Sequence, residues 1–438
     1  MVEKKRFTLV RACCLAVFFS VNSASQASPI LSEPILVSVS DTALGNQPEP
    51  VYSVGAMTDS SGELTVFTSP SNDLAVQENG GWDNVFIRNS RTQSTLMVSG
   101  PENGGAPNGS SNQPSISSDG KRVAFWTQAT NLLSAGNTGI EEVFVYDVDS
   151  TALQLASVAW DGGLANSSSY GPYISANGRF VAFTSAATNL VEGWSRSGHH
   201  VFVRDLQEQE TIGIIPTIDG MLLEGSCGAA PKLSGDGSVV VFQCSDGLLY
   251  AHEMASGQME LVSKNSVGDP ADSESQVGSL SYDGRYIAFR SIAKNLSDTV
   301  VPDLPFWQHF VHDRSLQTTE IISVNNAGVA SNGQSFSFPS ISSDGRFVSF
   351  STQADNHEVA PPNTSVQAFV RDRIEARTIW ISQSPPGFDN YGQNPYIFGS
   401  TSGVLFFGVG HPPEGDPQFG LVQRFFISDD VFKDSFER

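Results

Sequence analysis

The sequence predicts an all-β protein: a seven-bladed β-propeller of four-stranded antiparallel blades, with six blades as the alternative count. Three observations carry this expectation. Seven glycines, Gly62, Gly120, Gly178, Gly237, Gly284, Gly345 and Gly403, close short polar turns at intervals of 58, 58, 59, 47, 61 and 58 residues, the near-constant period of one repeated supersecondary unit. Each turn leads into an apolar strand, and in each of the five clearest copies a phenylalanine follows the glycine by five residues. A further strand signature follows each hairpin, as in Val143-Phe144-Val145-Tyr146-Asp147, Val201-Phe202-Val203-Arg204-Asp205 and Phe369-Val370-Arg371-Asp372.

The elements of one unit follow in order. A short strand, a Ser/Asp/Gly turn such as Ser117-Ser118-Asp119-Gly120, and a second strand rich in Val, Ala and Phe read as a hairpin. Asp or Asn folds its side chain onto the turn backbone while Gly supplies the positive φ. The β-branched and aromatic third strand comes next, and then a fourth, as in Leu96-Met97-Val98-Ser99, Leu261-Val262-Ser263 and Ile321-Ile322-Ser323. Four antiparallel strands per unit around a ring leave only short, protected edges. The last unit lacks a fourth strand after Phe425-Phe426-Ile427, whereas Ile35-Leu36-Val37-Ser38-Val39-Ser40 is a fourth strand without a blade. The N-terminal strand is therefore expected to complete the last blade, removing two open edges that would invite aggregation.

Pro114-Ser115-Ile116-Ser117-Ser118-Asp119-Gly120, Pro339-Ser340-Ile341-Ser342-Ser343-Asp344-Gly345, Ala129-Thr130-Asn131-Leu132, Ala187-Thr188-Asn189-Leu190 and the Phe-Val-Arg-Asp strands resemble the TolB-type, WD40-like propeller repeat also found in prolyl oligopeptidases. The resemblance covers roughly residues 35–430. It implies the fold and no particular function.

Lys4, Lys5, Arg6 and Arg11 flank an apolar run from Ala12 to Val21, and Ser25-Gln26-Ala27 offers small residues for cleavage. Residues 1–27 thus read as a signal peptide, residues 28–430 as the propeller and residues 431–438 as a short tail, in a protein exported to the periplasm or beyond the cell. No later segment is long and apolar enough to span a membrane. Cleavage takes the formal charge from −22 to −25, which disfavours nucleic acid and anionic membrane faces as partners. The tail, Asp430-Val431-Phe432-Lys433-Asp434-Ser435-Phe436-Glu437-Arg438, resembles the Phe-x-Asp-Gly-Phe-Glu endings of some exported bacterial proteins, with Ser435 in place of the glycine. A sorting element and a frayed terminus are its two readings.

Only Cys227 and Cys244 remain after cleavage, at the loop entering the fourth unit and at the end of its second strand. An oxidising compartment favours a disulfide between them over two separate thiols. Closing a loop of 17 residues contributes about 3 kcal/mol.

Chemistry-bearing motifs are scarce. There is no His-Glu-x-x-His, Cys-x-x-Cys, phosphate-binding glycine loop, dinucleotide fingerprint or Gly-x-Ser-x-Gly elbow, and with fewer than ten residues after Asp430 peptidase activity of the prolyl oligopeptidase kind is not expected. His199, His200, His309 and His312 read as solvated strand ends and not as ligands. Glu78-Asn79-Gly80-Gly81-Trp82-Asp83 and Gly136-Asn137-Thr138-Gly139-Ile140-Glu141 lack the alternating carboxylates of a calcium loop. No metal and no cofactor are expected. Asn46, Asn108, Asn166, Asn332 and Asn390 recur where one unit passes to the next, a turn role repeated too often to mark one ligand.

The loops joining second and third strands are long in most units and open on one rim, and three carry a tryptophan: Trp82, Trp194 and Trp307. Aromatic faces with polar neighbours suit a sugar or a protein partner; the opposing reading is that each ring plugs its own loop. The sequence thus points to a monomeric, exported, non-catalytic propeller that binds protein or glycan at the cell envelope. The alternative is a propeller enzyme, of polysaccharide lyase or lactonase type, with its site at the central channel mouth. The strands expected to line that channel read as Ser, Ile, Tyr and Pro.

Overall fold

A computed structural model of the chain describes residues 35–36, 54–72, 74–75, 77–134, 139–218, 220–223, 225–298, 306–357, 366–382, 393–398, 403–409 and 420–425. The expected signal peptide and tail lie outside these residues. Every regular element among them is a strand, and the architecture is a propeller-like ring of four-stranded antiparallel sheets.

Unit A comprises Val54–Thr58, Leu64–Ser69, Asn84–Asn89 and Ser94–Met97, and unit B comprises Ser111–Ile116, Arg122–Thr127, Glu142–Asp147 and Ala152–Leu155. Unit C holds Ser169–Ile174, Phe180–Ser185, His200–Asp205 and Glu210–Gly213, and unit D holds Cys227–Leu233, Val239–Cys244, Leu249–Glu253 and Met259–Leu261. Unit E runs through Ser275–Leu280, Tyr286–Ser291, Gln308–Asp313 and Thr318–Ile321, and unit F through Ser340–Ile341, Phe347–Thr352, Gln367–Asp372 and Arg377–Trp380. Unit G pairs Gln393–Phe398, Gly403–Val409 and Gly420–Phe425, and its outer edge is Ile35–Leu36 from the other end of the chain. Units C and D form one eight-stranded sheet through a single parallel bridge, His200 to Cys227.

The repeat residues do what their spacing predicts. Second-strand and third-strand phenylalanines are direct cross-strand partners, Phe67 with Phe86, Phe125 with Phe144, Phe183 with Phe202, Phe289 with Phe310 and Phe350 with Phe369. Their rings stack at 5.6–6.2 Å and all ten are fully buried. In the hairpin turns, Ser117 Oγ donates to Asp119 Oδ1 at 2.6 Å and Lys121 N–H donates to the same oxygen; Asp236, Asp283 and Asp344 serve their turns identically. Gly284 has φ 68°, and a Cβ there would lie 2.6 Å from Val239 Cγ2 of the preceding unit, so glycine is required both for the turn and for the close approach of neighbouring units.

Adjacent units are tied at these turns by backbone bonds. Ser60 N–H donates to Ser118 O, Ser118 N–H to Ala176 O, Asn177 N–H to Gly235 O, Asp236 N–H to Tyr282 O and Tyr282 N–H to Ser343 O, all at 2.9–3.0 Å. They form a collar around one end of the central axis.

One expectation is corrected. His309 and His312 are not solvated strand ends: both are buried, as is His200, while His199 is exposed. The third strand of unit E is flanked on both edges by its own sheet and covered on both faces by units D and F, so Gln308–Asp313 is buried at all six positions.

Candidate functional site at the channel mouth

The innermost strand of each unit sets the site. Gly55, Gln113, Gly171, Ala230 and Asn394 all have positive φ, between 48° and 64°, and each lies where the inner-strand register shifts. In four of the five, proline follows: Pro114, Pro172, Pro231 and Pro395. Proline has no N–H to give to a ladder, so it belongs at a bulge, and a bulge re-aims the side chain beyond it. The residues one place further on are Met57, Ser115, Tyr173, Lys232 and Tyr396, with Ser279 and Ser340 from units E and F, and they encircle the axis.

Three members of this layer are staples between units. Ser115 Oγ accepts from Ile174 N–H at 3.0 Å, Ser279 Oγ from Ile341 N–H at 2.8 Å and Ser340 Oγ from Ile397 N–H at 3.1 Å. Met57, Tyr173, Lys232 and Tyr396 break that pattern and fill the channel. The Tyr173 and Tyr396 hydroxyls interact, and Lys232 Nζ lies 4.4 Å from the centroid of the Tyr173 ring.

On the collar side of this layer the axial space is about 70 Å³. On the other side it widens to about 600 Å³, lined by Gln113, Tyr170, Thr184, Phe336, Phe338 and Asn394 above the layer, a volume suited to a small ligand. Among the described residues the lining contains no carboxylate, and the one formal charge among them is Lys232. Burial pushes the Lys232 ammonium down to about 8, since desolvation disfavours the charged form. The same cause pushes Tyr173 up to about 12 and Tyr396 well above its ordinary value.

Outside the funnel, the Arg290 guanidinium covers the Phe338 ring at 4.0 Å and the Trp307 ring at 4.7 Å. Two bonds to Gln276 Oε1, at 2.7 and 3.0 Å, and one to Phe336 O hold it there. Tyr170 Oη lies 3.2 Å from His199 Nδ1, and Trp126 Nε1–H donates to Gln113 Oε1 at 2.8 Å.

The three tryptophans singled out in the sequence have different surroundings. Trp82 is 45% exposed. Trp307 is half-buried beneath Arg290 and joins the rim of the funnel through Phe338. Trp194 packs inward, 5.0 Å from Phe202 and 5.5 Å from His200. Cys227 and Cys244 are joined by a disulfide as cross-strand partners in unit D. Asn108 and Asn166 each bridge to the loop of their own unit, at Thr130 and Thr188, which is the repeated turn role.

Lys232 is absent from the sequence reading, although the signal was available. It precedes Gly237 by five, as Ser115 precedes Gly120, Ser279 Gly284 and Ser340 Gly345, so it stands at a place where three other repeats have serine.

Among the described residues, no three His, Cys, Asp or Glu side chains converge as a metal would require, and no helix is long and apolar enough to cross a membrane.

No protein-family model matches the chain, and no curated protein matches it in sequence. Solved structures share its fold. An oligogalacturonate lyase in complex with manganese is 12% identical with a TM-score of 0.52, over 93% of this chain and 100% of that one. The oligogalacturonate lyase of Vibrio parahaemolyticus is 13% identical with a TM-score of 0.52, over 92% of this chain and all of that one. A prolyl endopeptidase structure is 12% identical with a TM-score of 0.53, over 86% of this chain and 50% of that one. The TolB- and WD40-like repeat read from the sequence, shared with prolyl oligopeptidase propellers, is therefore a propeller repeat in three dimensions too.

Proposed function

We propose that this protein is a seven-bladed propeller, closed in unit G by its N-terminal strand, that binds a ligand in the wide mouth of its central channel. The funnel carries the reading: about 600 Å³, walled by aromatic and small polar groups, and ringed by residues from every unit. Aromatic walls with scattered hydroxyl and amide groups suit a sugar ring or the side chain of a protein partner. Trp307, Trp82 and the Arg290–Phe338 stack extend that surface on the rim, while Trp194 supports its own unit. Residues 1–27 act as a signal peptide, residues 28–430 form the propeller and residues 431–438 a tail, so the monomer works in the periplasm or outside the cell. The disulfide fits that compartment.

An enzyme reading has one observation in its favour. An amine displaced to about 8 is partly neutral near pH 7 and could act as a base beside Tyr173. The two readings separate by experiment. Trp82→Ala with Trp307→Ala should weaken binding of oligosaccharides or envelope proteins by about tenfold or more with little loss of thermal stability. Unchanged affinity in the double variant would move the site off the rim. Turnover of a polysaccharide or lactone library by the purified protein would favour the enzyme.

A further inference from the structure

The charge in the funnel narrows the ligand class. We infer that Lys232 is a carboxylate-binding residue and that the funnel takes a ring-bearing monocarboxylate, a sugar acid or an aromatic acid, with the acid group at the floor and the ring against the walls. This rests on the proposal that the funnel is the binding site.

Four observations support it. Lys232 has no ion-pair or hydrogen-bond partner among the described residues; its one contact of note is the Tyr173 ring. A cation over an aromatic face recovers only part of the hydration it has lost. Among the described residues the cavity lining has no acid to balance it, although the chain has 46 acidic residues against 24 basic ones. Last, the repeat offers a neutral solution at this very place, since Ser115, Ser279 and Ser340 bind the next unit where Lys232 does not.

A half-buried ammonium with no partner among the described residues, at a position the fold fills with serine, is a departure from the repeat that we read as retained for a ligand. One lysine matches one negative charge. Tyr173 and Tyr396 line the same cavity, and their hydroxyls, which interact with each other, are chemically able to hydrogen-bond a carboxylate or a ring hydroxyl. Phe336, Phe338 and Tyr170 wall the wider part, where an apolar or ring-shaped body fits and a compact, strongly hydrated anion gains little.

Calorimetric titration of the whole protein with glucuronate and with benzoate, each against its neutral amide, tests the inference and separates a sugar acid from an aromatic acid. At least one acid is expected to bind about tenfold or more tightly than its amide. Lys232→Met should remove that preference while leaving amide affinity within about twofold, and Lys232→Arg should restore it in part. The Met variant should melt no lower than the wild type, which shows that the loss is not unfolding. Equal binding of acid and amide, or acid binding unchanged in the Met variant, overturns the inference and leaves the funnel as a neutral-ligand site. No acid bound at about 10 mM also overturns it. The funnel itself is abandoned only if amides, oligosaccharides and envelope proteins fail as well.

Discussion

Deleting residues 28–41 is expected to lower the melting temperature sharply and to make the protein aggregate. Ile35 pairs with Arg424 and Leu36 with Gln423 at the outer edge of unit G, so the deletion strips the strand that joins the two ends of the chain. The described pairing is two residues long, each backbone hydrogen bond lost costs about 1 kcal/mol net, and the larger part of the effect comes from opening the last sheet of the ring. The exposed strand Gly420–Phe425 would then present unpaired N–H and C=O groups to other chains. Scanning calorimetry and light scattering of the truncated protein read both effects. An unchanged melt would show that the pairing is not what closes the ring.

The second large effect is loss of stability in mild acid. His309, His312 and His357 are all pushed down to about 4 by burial from an ordinary 6.5. Their surroundings explain why the neutral ring is preferred. His309 Nε2 lies 3.0 Å from Ser337 O, His312 Nδ1 2.9 Å from Thr319 Oγ1 and His357 Nε2 2.8 Å from Ser331 Oγ. His309 Nδ1 and His312 Nε2 are buried without a partner, so a proton added there would have no acceptor. Because the folded value lies below the unfolded one, the unfolded chain binds more protons between pH 6.5 and 4; the stability is full above 6.5 and is lost as pH falls through that window. Each unit of displacement is about 1.4 kcal/mol, so three such histidines amount to several kcal/mol. His309 and His357 lie against Phe350, and His357 also stacks on Phe369 at 4.4 Å, which places two of the three histidines where units E and F meet. Urea midpoints measured from pH 7 to pH 4 should fall through the window, and His357→Gln should flatten the curve by about a third. A flat profile down to pH 4.5 would mean that these rings take up protons without cost.

The sequence exposes much of the fold because each repeat states the same local chemistry: a Ser-x-Asp-Gly turn, a phenylalanine five residues on, an aromatic third strand. Strand order and the pairing of Ile35–Leu36 with the last sheet follow from that regularity. The histidines escape it because burial here comes from neighbouring sheets lying over both faces of a strand, which no window of one repeat contains. The bulges at Gln113, Ala230 and Asn394 escape it for a related reason. A left-handed residue before proline is a compromise set by the crowded axis and not by local propensity. The candidate site lies in the differences between repeats: Lys232, Tyr173 and Tyr396 stand where serine would have served, and an alignment of the chain on itself separates them from the staples.

The claim that the funnel is the binding site is tested most directly by a crystal structure of the protein soaked with the tightest-binding member of the oligosaccharide and carboxylate panels. The account predicts electron density in the wide mouth, in contact with Lys232, Tyr173 and Phe338. Density confined to the outer faces of the units, with solvent alone in the funnel, would contradict it.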